Sequence, residues 1–192
     1  MTARALSTLE AMDSLQGKLL IAAPALADPN FSRTVVLIAA HSDDGALGLV
    51  LNRPLETPLL EIVPVLEGIA EPGAVLHSGG PVAPESAIVL AEFADPSLAA
   101  LLIFGDTGLP SANCELADLE SGVRRARVFA GHSGWGPGQL DGELEQEAWF
   151  VGQVAPDELW LSDSTLLWST TLSRKGGPYA LLARMPDDPS VN

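Results

Sequence analysis

Eight consecutive residues, Thr34-Val-Val-Leu-Ile-Ala-Ala-His41, carry no charged carboxylate or amine, and they leave this chain few folds to choose among. β-Branched residues crowd the stretch and its apolarity is continuous rather than one-sided, so it reads as a strand covered on both faces. Ser42-Asp43-Asp44-Gly45 follows as a hairpin turn, with glycine supplying positive φ at the Asp-Gly step. Ala46–Asn52 returns as the second strand, and Arg53-Pro54 closes it. A hairpin over 34–52 therefore needs other elements packed on both of its sides.

The surrounding segments are expected to supply them. Gly17–Ala23 is a short apolar run ended by Pro24, which reads as a buried strand. Thr57-Pro58 resembles a helix start, and Leu59, Ile62, Val63 and Leu66 have helical spacing, with Pro64 keeping that helix short or kinked. Further strands are expected at Ala74–His77, Ser86–Phe93, Leu101–Phe104 and Arg127–Ala130, with a helix between Ser111 and Gly122. The stretch from Gly131 to Gly138 reads as a glycine-rich turn, followed by a helix over Gln139–Glu147 and a strand over Trp149–Val154. Ala155-Pro156-Asp157 reads as a turn, Leu159–Leu161 as a short strand or bridge, and Ser164–Lys175 as a helix stopped by Gly176-Gly177-Pro178. Tyr179–Met185 forms a last apolar segment. Strands and helices mix irregularly, which points to an α+β fold rather than a doubly wound sheet.

Composition narrows the function classes. The 192 residues hold 25 acidic and 10 basic side chains, a formal charge of −15. Phosphate-backbone binding runs on lysine and arginine displacing counterions, so this balance argues against direct nucleic-acid binding. Arg124, Arg125 and Arg127 form the one dense basic cluster and read as a solvated strand edge. No apolar run approaches the roughly 20 residues of a membrane helix. Residues 1–14 lack an apolar signal region and read as a flexible tail ahead of one domain over 15–192. Cys114 stands alone, so no internal disulfide framework exists and the cytoplasm is the expected location.

Several groups invite a chemical reading. Gly131-His132-Ser133-Gly134 after a strand resembles a nucleophile elbow, but Trp135 stands where that motif needs glycine, and Gly136-Pro137-Gly138 would break its helix. The better reading is a glycine turn that lets two backbones approach. Asp141, Glu143, Glu145 and Glu147 offer carboxylates on a helix, where a solvated acidic face is the simpler explanation. His41, His77 and His132 lack any close metal-ligand spacing. Ser78-Gly79-Gly80-Pro81 has the backbone freedom to cradle an anion but lacks the lysine of a P-loop. Arg33, Asn52 and Arg53 bracket the hairpin and have the groups to grip an anion in an acidic protein, but strand-end pairing with nearby carboxylates or backbone carbonyls is the simpler explanation.

Taken together, several blocks resemble the AlgH/YqgE family of bacterial proteins. They are Ile21-Ala22-Ala23-Pro24, Asp28-Pro29-x-Phe31-x-Arg33-Thr34-Val35-Val36, and His41 followed by Gly45-Ala46-x-Gly48-Leu49-Val50-Leu51-Asn52-Arg53-Pro54. Gly79-Gly80-Pro81-Val82 and Gly134-Trp135-x-x-Gly138-Gln139-Leu140 complete the set. The similarity runs from about Leu15 to the terminal Pro186–Asn192. Departures are local: Asp141 stands where the family usually has Glu, and His132-Ser133 where it usually has Tyr-Ala. The resemblance implies a compact α+β domain whose sheet, antiparallel or mixed, is bifurcated or barrel-like and flanked by helices. One branch of the family has been called a transcriptional regulator, although no helix-turn-helix is present here.

The expectation is thus a non-enzymatic cytoplasmic module that binds a protein or small-molecule partner, with a regulatory effect. Its candidate binding residues are Arg33, His41, Asn52, Arg53, Gly79, Gly80, Trp135, Gln139, Asp141 and Glu143. No catalytic residue, metal ligand or cofactor is assigned. The alternatives are a hydrolase or metal-assisted enzyme using His41 and carboxylates near Glu143, and a direct regulator of transcription.

Overall fold

The computed structural model describes residues 14–186. Among them, ten strands share one sheet: β1 (Lys18–Ala22), β2 (Val35–Ser42), β3 (Gly45–Val50), β4 (Pro54–Pro58), β5 (Val75–Ser78), β6 (Val82–Phe93), β7 (Ala99–Phe104), β8 (Thr107–Pro110), β9 (Val123–Trp135) and β10 (Trp149–Gln153). Six helices accompany them: α1 (Leu59–Ile62), α2 (Leu116–Gly122), α3 (Gln139–Glu145), α4 (Pro156–Leu159), α5 (Leu167–Lys175) and α6 (Pro178–Leu182). The main path runs β10-β1-β2-β3-β9-β6-β8-β7, all antiparallel.

The sheet divides at β9. Its Ser133–Trp135 end pairs with Gly48–Ala46 of β3, while Phe129 and Ala130 take β5 in parallel, and β4 pairs with β5 beyond. The fold is α+β, and the sheet is bifurcated and curls into a half-barrel, as the sequence blocks imply.

The two-sided burial expected of the hairpin follows the strand period of two. Leu19, Ile21, Val35, Leu37, Ala39, Leu49 and Leu51 face one core, closed by Leu167, Trp168 and Leu172 of α5. Leu20, Ala22, Val36, Ile38 and Val50 face the other, closed by Trp135, Trp149 and Leu140 of α3. Fully burying each such Leu, Ile or Val contributes about 1.5–3 kcal/mol, so both layers are needed to hold the hairpin. A third cluster, Leu59, Leu66 and Val128, seats α1 beside the β4–β5 branch.

Several expectations need correction. β9 continues through Gly131-His132-Ser133-Gly134 to Trp135, so this glycine-rich segment is strand and not turn. Backbone approach, the other half of that reading, does occur: a Cβ on Gly79 would lie 2.2 Å from Gly131 O, and one on Gly80 2.3 Å from His132 C. The turn is confined to Gly136–Gly138, where Gly138 has φ 68° and leads into α3. That helix ends at Glu145, and Glu147 lies beyond it with φ 56°, so Glu143 and Glu147 do not share a helical face.

Thr57 and Pro58 belong to β4, which tolerates two prolines because, among the described residues, it pairs with β5 alone. The helix there spans four residues, and a 3-10 turn begins at Pro64. β6 starts at Val82, earlier than expected, and the short β8 was not anticipated. Pro156 opens α4 where a turn was expected, and Leu159 ends that helix instead of joining a strand. Gly176-Gly177 ends α5, and Pro178 immediately begins α6. Of the expected tail, residues 1–13 lie outside the described residues, and Ser14 Oγ donates to His41 O.

Candidate functional site

Asp28 shapes the loop that leads to the site. Its side chain accepts from Asn30 N, and its carbonyl accepts from Phe31 N and Ser32 N, so the chain turns tightly before β2. Arg33 then adopts φ 56°, a left-handed backbone that is costly outside glycine. Asn52 stabilises it. Only 4% exposed, Asn52 accepts from Val35 N at 2.8 Å and donates to Arg33 O at 2.9 Å, joining the end of β3 to the start of β2.

This arrangement places Ser32, Arg33, Asn52 and Arg53 along one wall of a cleft of about 570 Å³. The rest of the lining comes from Thr165 and Leu166 of the 3-10 turn before α5, from Trp168 and Ser169 of α5, and from Ala183, Met185 and Pro186. The Arg33 guanidinium lies 4.0 Å from the centre of the Trp168 ring and donates to the Met185 and Pro186 carbonyls. Arg53 donates to Ser32 O, and burial pulls its pKa below the usual arginine value. Among the described residues, Arg53 has no carboxylate at ion-pair distance, and none of the residues lining the cleft is acidic. Arg53 also lines a second concavity of about 320 Å³, together with Gly80 and Pro81.

The structure therefore brings Arg33, Asn52, Arg53 and Gly80 around two adjoining hollows. Gly79 is committed to the fold: its N–H donates to Ala130 O, and its carbonyl accepts from Val50 N and Ser133 Oγ. Ser133 is fully buried by that bond.

The remaining candidates form a different cluster. Glu143 Oε2 accepts from the indole N–H groups of Trp135 and Trp149 at 2.9 and 2.8 Å, and its Oε1 accepts from Gln139 Nε2 at 3.0 Å. Gln139 Oε1 in turn accepts from Gly136 N, which fixes the turn before α3. Phe31 packs against both tryptophan rings, with centroids 6.0 and 5.5 Å away. Both indoles are nearly buried, at 6% and 4% exposure, so Glu143 acts as the shared acceptor of an aromatic core. Replacing it with glutamine keeps the acceptor oxygen but removes the charge. Glu143→Gln is expected to cost about 1–2 kcal/mol, measured by urea unfolding followed through tryptophan fluorescence.

His41 stands at the end of β2, where its Nδ1 accepts from Leu15 N. It pairs across to Ala46, which pairs to Trp135, so it lies two strands, about 10 Å, from the backbone that carries that cluster. Asp141 Oδ1 is shielded from solvent without a hydrogen-bond partner among the described residues.

Sequence reasoning did not foresee a third locus around His77 and Arg127. His77 is 5% exposed and lies between Val75 O and Ser164 Oγ, each 3.2 Å away. A carbonyl only accepts, so Nδ1 carries the proton and Nε2 accepts from the serine hydroxyl. Ser164 is itself 2% exposed, and the pair ties β5 to the turn before α5. Burial, reinforced by the nearby Arg127 charge, lowers the His77 pKa to about 4. Arg127 donates to the Leu159 and Leu161 carbonyls, while Arg125 pairs with Glu92, and Arg124 reaches Phe93 O and Asp106. Arg125 and Arg127 are therefore engaged within the fold, while Arg124, with 49% of its side chain exposed, keeps the solvated character expected of the cluster. Its strand alternation placed Arg125 and Arg127 on the same face, but no local pattern marks a guanidinium that grips a loop far along the chain.

Comparison with known proteins places this geometry in a family. Residues 19–180 match the AlgH-like family model, and the chain belongs to that family. A UPF0301 protein of Streptomyces avermitilis is 40% identical over 97% of this chain and 100% of its own length. UPF0301 protein CT0663 of Chlorobaculum tepidum is 34% identical over 92% of this chain and 95% of its own. Among solved structures, protein DIP2367 of Corynebacterium diphtheriae superposes with a TM-score of 0.80 at 26% identity, covering 88% of this chain and 91% of that one. The solution structure of AlgH from Pseudomonas aeruginosa gives a TM-score of 0.65 at 29% identity, over 96% and 100%.

Proposed function

We propose that this AlgH-like chain is a binding module for a small anionic ligand, held in the cleft between the start of β2 and α5, and that any regulatory effect follows from its occupancy. Arg53 carries this reading: a partly buried guanidinium, with no carboxylate partner among the described residues, lines a cleft with no acidic group among those same residues, in a chain of charge −15. Burying a cation without a counter-charge costs stability, and a bound anion would offset that cost. Ser32, Thr165 and Ser169 add polar groups around the same space. The volume lies in the range of small-molecule sites.

Other readings have less support. His41 and Glu143 each bond to groups of the fold, and no hydrogen bond joins them among the described residues. The three clustered arginines are engaged by the sheet and its loops, which adds to the charge argument against direct nucleic-acid binding. Among the described residues, no helix is long and apolar enough to cross a membrane. A cytoplasmic setting is proposed from the single cysteine.

Titration calorimetry with inorganic phosphate and small carboxylates tests the proposal. Wild-type protein should bind at least one of them saturably, and Arg53→Ala should weaken that binding about 10- to 100-fold, the loss of a charge-assisted contact. Arg53→Lys should recover only part of it, because ammonium lacks the planar fork. No saturable binding, or equal affinity in Arg53→Ala, would rule out the cleft as an anion site.

A further inference from the structure

The two hollows beside β3 meet at one cation. Arg53 lines both the cleft of about 570 Å³ and the neighbouring concavity of about 320 Å³, so an anion bound to it sits between two spaces rather than at the end of one. Both spaces offer polar and apolar surface. Ser32, Thr165 and Ser169 stand with Leu166, Trp168 and Met185 in the first, and Asn30 and Ser78 stand with Pro29, Pro81 and Pro84 in the second. No acidic residue lines either hollow among the described residues.

A carboxylate or phosphate monoester carries its charge at one end and has a single substituent, so with its charge on Arg53 it fills only one hollow. We infer that the ligand is a phosphate-linked two-part molecule, a phosphodiester or phosphoanhydride. Its central anion rests on Arg53, one substituent occupies the larger cleft, and the other occupies the smaller concavity. This deepens the anion-binding proposal and rests on it. An internal phosphate has the charge for Arg53 and a substituent for each side.

The test compares inorganic phosphate, adenosine monophosphate and the dinucleoside monophosphate adenylyl-adenosine on the full chain. The diester should bind at least 10-fold more tightly than the monoester. Two space-filling variants then separate the hollows. Asn30→Trp narrows the second concavity from an exposed loop position, and Leu166→Trp narrows the first from an exposed position ahead of α5. Each should abolish the diester's advantage while leaving inorganic phosphate affinity within about twofold, which also shows that the variant is folded. Equal binding of monoester and diester, a diester advantage untouched by Asn30→Trp, or tighter binding of a capped Ala-Asp-Ala peptide would overturn the two-part ligand. Those outcomes leave phosphate binding at Arg53 intact, whereas loss of all phosphate binding would instead overturn the anion site itself.

Discussion

Gly79→Ala and Gly80→Ala are each expected to lower folding stability by about 3 kcal/mol or more, at the upper end of overpacking costs. A methyl group on Gly79 would meet the Gly131 carbonyl oxygen at 2.2 Å, and one on Gly80 would meet the His132 carbonyl carbon at 2.3 Å. Both obstacles are backbone atoms of β9, the strand at which the sheet divides, so no side-chain rotation relieves them. Gly80 carries a second penalty, because its φ of 147° is rarely adopted by residues with a Cβ. Gly142 supplies the contrast. It lies in α3 with nothing near its added methyl, and Gly142→Ala should stabilise by about 0.5–1 kcal/mol through helix propensity. Urea unfolding of the three variants measures the difference. A loss below 1 kcal/mol at both Gly79 and Gly80 would mean that the loop and β9 separate easily.

Acid should destabilise the fold in part through His77. The free imidazole takes up its proton near 6.5, but in the folded chain His77 does so only at about 4. Between those values the unfolded chain binds the extra proton, so this contribution is fully present above about pH 6.5 and is lost as pH falls towards 4. The interval corresponds to roughly 3 kcal/mol, since each pH unit of separation is worth about 1.4 kcal/mol. Carboxylates titrate in part of the same range, so the informative quantity is the difference between wild type and His77→Asn. The variant's stability should start lower at pH 7, because the bonds to Val75 and Ser164 are disturbed, and then fall less steeply down to pH 4.5. Parallel pH profiles would contradict a neutral, buried His77.

The hairpin, the α+β class and the family were legible because they rest on patterns the chain states locally or in ordered blocks. Continuous apolarity from Thr34 reported two buried faces, and both cores are present. The glycines of β9 were misleading because a single residue type serves two ends. Glycine permits a turn, and it also permits two extended backbones to touch; only the second applies at Gly131, beside Gly79 and Gly80. β4 was hidden by Pro54 and Pro58, which an edge strand accepts and a central strand does not.

The candidate site divided along similar lines. Arg33, Asn52 and Arg53 were recognisable from their positions around the hairpin, and the fold gathers them at one cleft. The structure gives Trp135, Gln139 and Glu143 a shared hydrogen-bond network at an aromatic core, a role that requires knowing which indoles point at which carboxylate. His77 and Arg127 were not legible as a pair. They are 50 residues apart and meet only because β5 joins β9 in parallel.

The central claim is that Arg53 binds an anion, and the most direct measurement follows its own side chain. In a nitrogen-15-labelled sample, the Arg53 Nε–H resonance should shift saturably as inorganic phosphate is added at constant ionic strength. The backbone amides of Ser32, Asn52 and Ser169 should move with the same dissociation constant, since those residues line the same cleft. A saturable shift centred elsewhere, with Arg53 unmoved, would contradict the claim, as would drift that never saturates.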